Sequence, residues 1–228
     1  MNTIKSKLLA AVVTALLLAG VAQGQVATNY SFTTVGSLIP DGNPTGLASS
    51  TNWTGISGTI ATVTITLDIT GGFNGDLYAY LAGPAGGFAV LLNRTGLTSG
   101  NPFGYGDTGF SITLSDGSSN IHNYQLGSPS IDGSGQLTGI WSPDGRNIDP
   151  QSAGSLFDST TPTAGFNTFS GFTANGAWTL FVADLSGGGQ GTLVSWGLTV
   201  VTVPEPQTWV LVASGVGMLL ALNRRRKL

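Results

Sequence analysis

The sequence predicts an all-β protein, a jelly-roll β-sandwich of mainly antiparallel strands, set between two apolar ends. Three observations predict it. Apolar residues recur at every second position in several short runs, as on a strand with one buried and one wet face. Turn-forming residues separate these runs, and Gly alone supplies 35 of the 228 residues. Between residues 25 and 203, Gly, Thr, Ser and Asn dominate, all poor helix formers. No crossover helices are expected, so neighbouring strands should pair antiparallel.

The elements follow in chain order. Val63-Thr64-Ile65-Thr66-Leu67-Asp68-Ile69 is the clearest strand. Residues 71–75 interrupt the chain, and Asp76 to Leu81 resumes it. Gly83-Pro84-Ala85-Gly86-Gly87 is a turn before a strand from Phe88 to Leu92. Phe110, Ile112 and Leu114 alternate again. Trp178 to Asp184 and Thr192 to Thr202 form a last pair around a Gly-rich loop. Val194, Trp196, Leu198 and Val200 are expected to share one face of the final strand. Trp178 and Trp196 should anchor the two sheets through their large apolar area. Gly75 and Gly191 are expected where turns need backbone freedom. Asp76 should accept backbone N–H groups in the turn before its strand. Residues 116–176, rich in Ser, Gly, Asn, Asp and Pro, read as one long irregular segment.

The ends carry different information. Lys5 and Lys7, the apolar run Leu8 to Val21, and small residues Ala22 and Gly24 read as a secretory signal over residues 1–24. At the other end, Pro204-Glu205-Pro206 precedes a 14-residue apolar stretch, Trp209 to Leu222, and then Arg224-Arg225-Arg226-Lys227. Basic residues beside an apolar segment stay on the cytoplasmic side, so the body between the ends is expected outside the inner membrane. The chain thus divides into a signal (1–24), a β domain (25–202) and a tail (203–228).

Charge narrows the partners. The body holds Arg94 and Arg146 against ten Asp, a net charge of −8. Such a surface repels nucleic acid and anionic lipid. Glu205 is the single Glu of the chain, and there is no Cys. A body of about 180 residues buries enough core to fold without disulfides.

Most chemistry is excluded by residue type. His122 is the single His and lies in a loop-like stretch, where a solvated side chain is expected. No nucleophile-elbow pattern accompanies it, thiolate chemistry has no Cys, and one His makes no multi-His zinc site. No spacing singles out a glycosidase carboxylate pair. Residues 100–106 and 185–191 are Gly-rich but lack the Lys and the helix of a phosphate cradle. The sequence therefore predicts no enzyme. Calcium is the one cofactor the residues bring forward, because it takes hard oxygen ligands. Its candidate ligands are Asp76, Asp107 and Asp116, while Asp132 and Asp144 sit in turn-like Asp-Gly pairs. The Asn52 and Asn93 sequons read as incidental.

Both the tail and the body resemble known families. Pro204-Glu205-Pro206, a short apolar helix and Arg224-Arg225-Arg226 at the very end resemble a PEP-CTERM sorting tail over residues 203–228. That resemblance implies handling by an exosortase-type membrane protease, through a membrane-anchored intermediate. It also implies a Gram-negative host that makes extracellular polysaccharide. The body resembles the P domain (P/Homo B domain) of subtilisin-like proprotein convertases over about residues 30–202. Its first block is Val63–Ile69, Gly75-Asp76-Leu77, Leu81, Gly83-Pro84-Ala85-Gly86 and Leu91-Leu92. The second runs from Asn175 to Asp184 and from Gly191 to Leu198, and Ile39-Pro40-Asp41 looks like the entry segment. Residues 116–172 match less well. The family's fold is a galactose-binding-like β jelly roll.

Together these features point to a non-catalytic protein of the cell surface or extracellular matrix, exported and sorted through its tail. One alternative is a carbohydrate-binding module, with Tyr78, Tyr80 or Tyr105 stacking on sugar rings. Another is an accessory domain acting with a separate subtilisin-like protease.

Overall fold

A computed structural model describes residues 26–203, together with Gly215 and Gly217. The signal at 1–24 and the sorting residues Pro204, Glu205, Pro206, Arg224, Arg225 and Arg226 lie outside the described residues. Among the described residues, no helix is long and apolar enough to cross a membrane.

Residues 27–202 form one compact unit built from two sheets. The strands are β1 (Val26–Leu38), β2 (Asn43–Trp53), β3 (Thr59–Gly71), β4 (Leu77–Ala82), β5 (Phe88–Asn93), β6 (Gly109–Ser115), β7 (Leu137–Trp141), β8 (Gly176–Asp184) and β9 (Gly191–Val203). One sheet has the order β1-β9-β3-β6-β7, the other β2-β8-β4-β5. The pairs β3–β6, β2–β8, β4–β8 and β4–β5 are antiparallel. The pair β6–β7 is parallel, because the long connection between those strands returns the chain to the starting end of β6.

The period-2 pattern places the core. Val63, Ile65, Leu67 and Ile69 of β3 are buried. They join Leu77, Ala79 and Leu81 of β4 and Leu180 and Val182 of β8 in one cluster. Trp178 is fully buried against Trp53 and Phe169, with ring centroids 5.9 and 5.2 Å away. Its Nε1 donates to the Ala174 carbonyl at 3.0 Å. Trp196 lies on the opposite sheet and donates its Nε1 to Ser49 Oγ of β2 at 2.9 Å, tying the sheets together.

Three local expectations change. Val194 is half-buried while Leu193, Trp196, Leu198 and Val200 are buried. The alternation of β9 therefore shifts by one residue between Leu193 and Trp196, which a strict period of two does not anticipate. Gly75 has no left-handed backbone; a Cβ there would collide with the Phe103 carbonyl oxygen, so close approach is what requires glycine. Gly191 shows neither constraint.

The segment 116–176 is more ordered than its composition suggests. It contains β7, a 3-10 stretch (Ile121–Gly127) and a short helix, α1 (Gly154–Ser159). It also covers the free edge of β5. Asp144 N donates to Leu91 O at 3.0 Å, Gly145 N to Val90 O at 2.9 Å, and Val90 N to Ala164 O at 2.9 Å. An uncovered edge is a template for unwanted strand pairing, so this cover has a clear physical use. At the other edge, Pro44 of β2 falls inside the register shift between Asn43 and Leu47, where a missing N–H is tolerated.

Candidate functional site

The residues singled out from the sequence do not gather into one centre. Asp76 is held by side chains in place of the expected backbone amides: the Ser186 hydroxyl bonds its carboxylate, and Arg94 Nη2 lies 3.6 Å from its Oδ1. Asp107 Oδ2 accepts from the Tyr124 hydroxyl and from Gln125 Nε2, both at 2.7 Å. Tyr124 is fully buried, and burial pushes its phenol up from the ordinary value. Asp116 is exposed just beyond β6, and desolvation raises its carboxyl. Among the described residues, no group of three or more His, Cys, Asp or Glu could hold a metal ion. Asp132 does form a turn, its Oδ1 accepting from Ser134 N at 2.8 Å and Gln136 N at 3.0 Å. Asn93 is buried, its amide donating to Arg146 O and Ile148 O.

The three tyrosines also separate. Tyr78 and Tyr80 stand on the outer face of β4 beside Phe181 of β8 and Phe88 of β5. Tyr80 lies between Phe181, stacked at 4.8 Å and 17°, and Phe88 at 5.1 Å. Phe181 therefore covers one face of the half-buried Tyr80 ring. Tyr105 packs edge-on against Tyr124 at 4.6 Å, away from that strip.

His122 departs furthest from expectation. It is 1% exposed, not solvated. Its Nδ1 lies 2.7 Å from Asp144 Oδ2, and its Nε2 lies 3.1 Å from the Leu97 carbonyl oxygen. Asp144 is likewise buried, and its Oδ1 accepts from Arg146 Nη1 at 3.1 Å and Arg146 N at 3.2 Å. Arg146 Nε donates to Phe157 O of α1, and Phe157 stacks on the imidazole at 5.8 Å and 13°. Asn120 closes the cluster, donating to the Pro143 and Asp144 carbonyls. An aspartate–histidine pair is also the core of a serine-hydrolase triad, but there the second ring nitrogen faces a hydroxyl nucleophile. Here a backbone carbonyl occupies that place and the ring is closed off from solvent, so the arrangement clamps loops together.

A second buried carboxylate is Asp184, at the end of β8. Its Oδ1 accepts from Ser186 N at 3.1 Å, while its Oδ2 has no hydrogen-bond partner among the described residues. Burial, with the charges of Asp76 and Asp41 nearby, pushes its carboxyl up to about 6.

A trough of about 410 Å³ runs along the outer face of the five-stranded sheet. The register of β3 and β6 sets Thr66 opposite Thr113 and Asp68 opposite Ser111. Ile140 of β7 pairs with Thr113, and Ser195 of β9 joins from the other side. Asp68 Oδ1 accepts from Gln136 Nε2 at 3.0 Å, which fixes the carboxylate and leaves Oδ2 available. Alternation of Thr and Ser with apolar residues is readable in β3 and β6. The trough itself is not, because it forms across four strands distant in sequence.

No protein-family model and no curated protein matches the chain. Similar solved structures include the serine protease of Aeromonas sobria and the complex of that protease with the chaperone. They are 19% and 20% identical, cover 82% and 83% of this chain, and each has a TM-score of 0.44. The chain spans 29% of the length of each matched chain.

Proposed function

We propose that this chain is a non-catalytic, exported module of P-domain type that works beside a separate subtilisin-like protease. The main support is a pairing of strands. The two sequence blocks that resemble the P domain lie about a hundred residues apart, yet they meet side by side. Leu77 of the first block pairs with Asp184 of the second, and Leu185 N donates to Asp76 O at 3.0 Å. Strands β4 and β8 then share the core with β3 and β9, so the resembling residues build one continuous interior. A galactose-binding-like jelly roll is the finer architecture that this pairing supports.

Delivery follows from the ends. Residues 1–24 would direct export, and Pro204-Glu205-Pro206 with Arg224-Arg225-Arg226 would address the chain to an exosortase-type protease. The mature domain would then reside at the cell surface or in the polysaccharide matrix.

Affinity purification of the full chain from its host tests the protease partnership. Enrichment of a subtilisin-like protease is expected; its absence under crosslinking overturns the partnership. Mass spectrometry of released protein tests sorting separately, since an intact Arg-rich C-terminus on that material is incompatible with cleavage at the tail.

A further inference from the structure

We propose that the trough on the outer face of β9, β3, β6 and β7 binds a neutral polysaccharide chain. This inference does not depend on the protease partnership.

The lining chemistry selects the ligand. Thr66, Ser111, Thr113 and Ser195 present four hydroxyls that make no hydrogen bond with any described residue. Each hydroxyl both donates and accepts, which is what a polyol requires of its partner. Asp68, braced by Gln136, adds an acceptor held in one orientation. Ile140 is 63% exposed at the side of the trough and supplies an apolar surface for the C–H face of a sugar ring.

Charge removes the competing ligands. Among the described residues, no cationic side chain lines the trough. Both arginines of the body are committed elsewhere, Arg94 to Asp76 and the Gly75 carbonyl, Arg146 to Asp144 and the Phe157 carbonyl. An acidic polysaccharide or nucleic acid would meet a body of net charge −8 whose two arginines are both paired away from the trough. A polycation would find one carboxylate. The volume falls within the range of about 300–1,000 Å³ usual for ligand sites. Its open form suits a chain that runs through it better than a small molecule that must be enclosed.

The test is affinity electrophoresis of the full chain, kept in a detergent without a sugar headgroup. Native gels would contain dextran, hydroxyethylcellulose, galactomannan or, as the anionic control, alginate. Retardation by at least one neutral polymer and not by alginate is expected. The double variant Thr66→Val with Thr113→Val keeps the β-branched shape and removes two hydroxyls, so apparent affinity should fall about tenfold or more. Ser195→Ala is the milder second variant should the double one fold poorly. Tyr80→Ala, on the opposite sheet, should leave retardation intact. No retardation in any neutral gel, retardation by alginate alone, or equal retardation of wild type and every trough variant overturns the proposal. Loss of protease co-purification with retained glycan binding would overturn the protease partnership and leave the glycan site standing.

Discussion

Replacing Asp184 with Asn should stabilise the domain at neutral pH. The side chain has no exposed surface, and one of its carboxylate oxygens lacks a partner among the described residues. Burial and the neighbouring Asp76 and Asp41 raise its folded-state value from 3.8 to about 6. A carboxyl raised on folding holds its proton more tightly in the folded state. Its contribution to stability is therefore fully present below about pH 4 and is lost as pH rises through about 6. A rise of that size corresponds to about 3 kcal/mol at pH 7.5, an upper bound. Screening by solvent around the nearby loops reduces the working figure to about 1–1.5 kcal/mol. Asparagine keeps the shape and the acceptor for Ser186 N, and carries no charge. For a domain of this size the variant should melt about 3–5 °C higher at pH 7.5, with the gap closing near pH 4.5. Thermal unfolding followed by circular dichroism from about pH 4.5 to 8, at fixed ionic strength, measures it. A variant that is less stable at pH 7.5, or equally displaced at both ends of the range, would disprove this account of Asp184.

Other outcomes follow from contacts elsewhere in the domain. His122→Ala should cost about 2–4 kcal/mol in urea unfolding, because it removes the hydrogen bond to the buried Asp144 Oδ2 and leaves a cavity beside Phe157. Gly87→Ala drives a Cβ into the buried Phe169 ring and should cost about 1–3 kcal/mol by the same assay. A double-mutant cycle on Tyr80→Ala and Phe181→Ala should show a coupling of about 0.5–1.5 kcal/mol, since the two rings stack across β4 and β8. Chelator should leave the melting temperature within about 1 °C, given that Asp76 and Asp107 already have protein partners.

Much of the fold is legible in particular residues. The alternation in Val63–Ile69 anticipates β3, and Phe110, Ile112 and Leu114 anticipate β6. Strands β1, β2 and β7 give weaker signals. Pro44 and Gly46 interrupt β2, and β7 keeps five residues with Gly139 at its centre. Those strands exist because neighbours pair with them. The trough is half visible in the sequence: hydroxyls on alternate residues can be seen, but not that Thr66, Thr113, Ile140 and Ser195 stand side by side.

Local pattern is enough to settle the β class, the buried faces of β3 and β6 and the burial of Trp178 and Trp196. Those depend on period and side-chain size, which survive in a linear reading. The fate of the charges is settled only once the chain has folded. His122 and Asp144 are 22 residues apart and look like solvated loop residues, yet they meet at 2.7 Å inside the domain. Asp184 ends a strand as many surface aspartates do, yet it is buried between Asn43 of β2 and Leu77 of β4. Desolvation and pairing depend on what the folded chain brings back to a residue, and no local pattern records that.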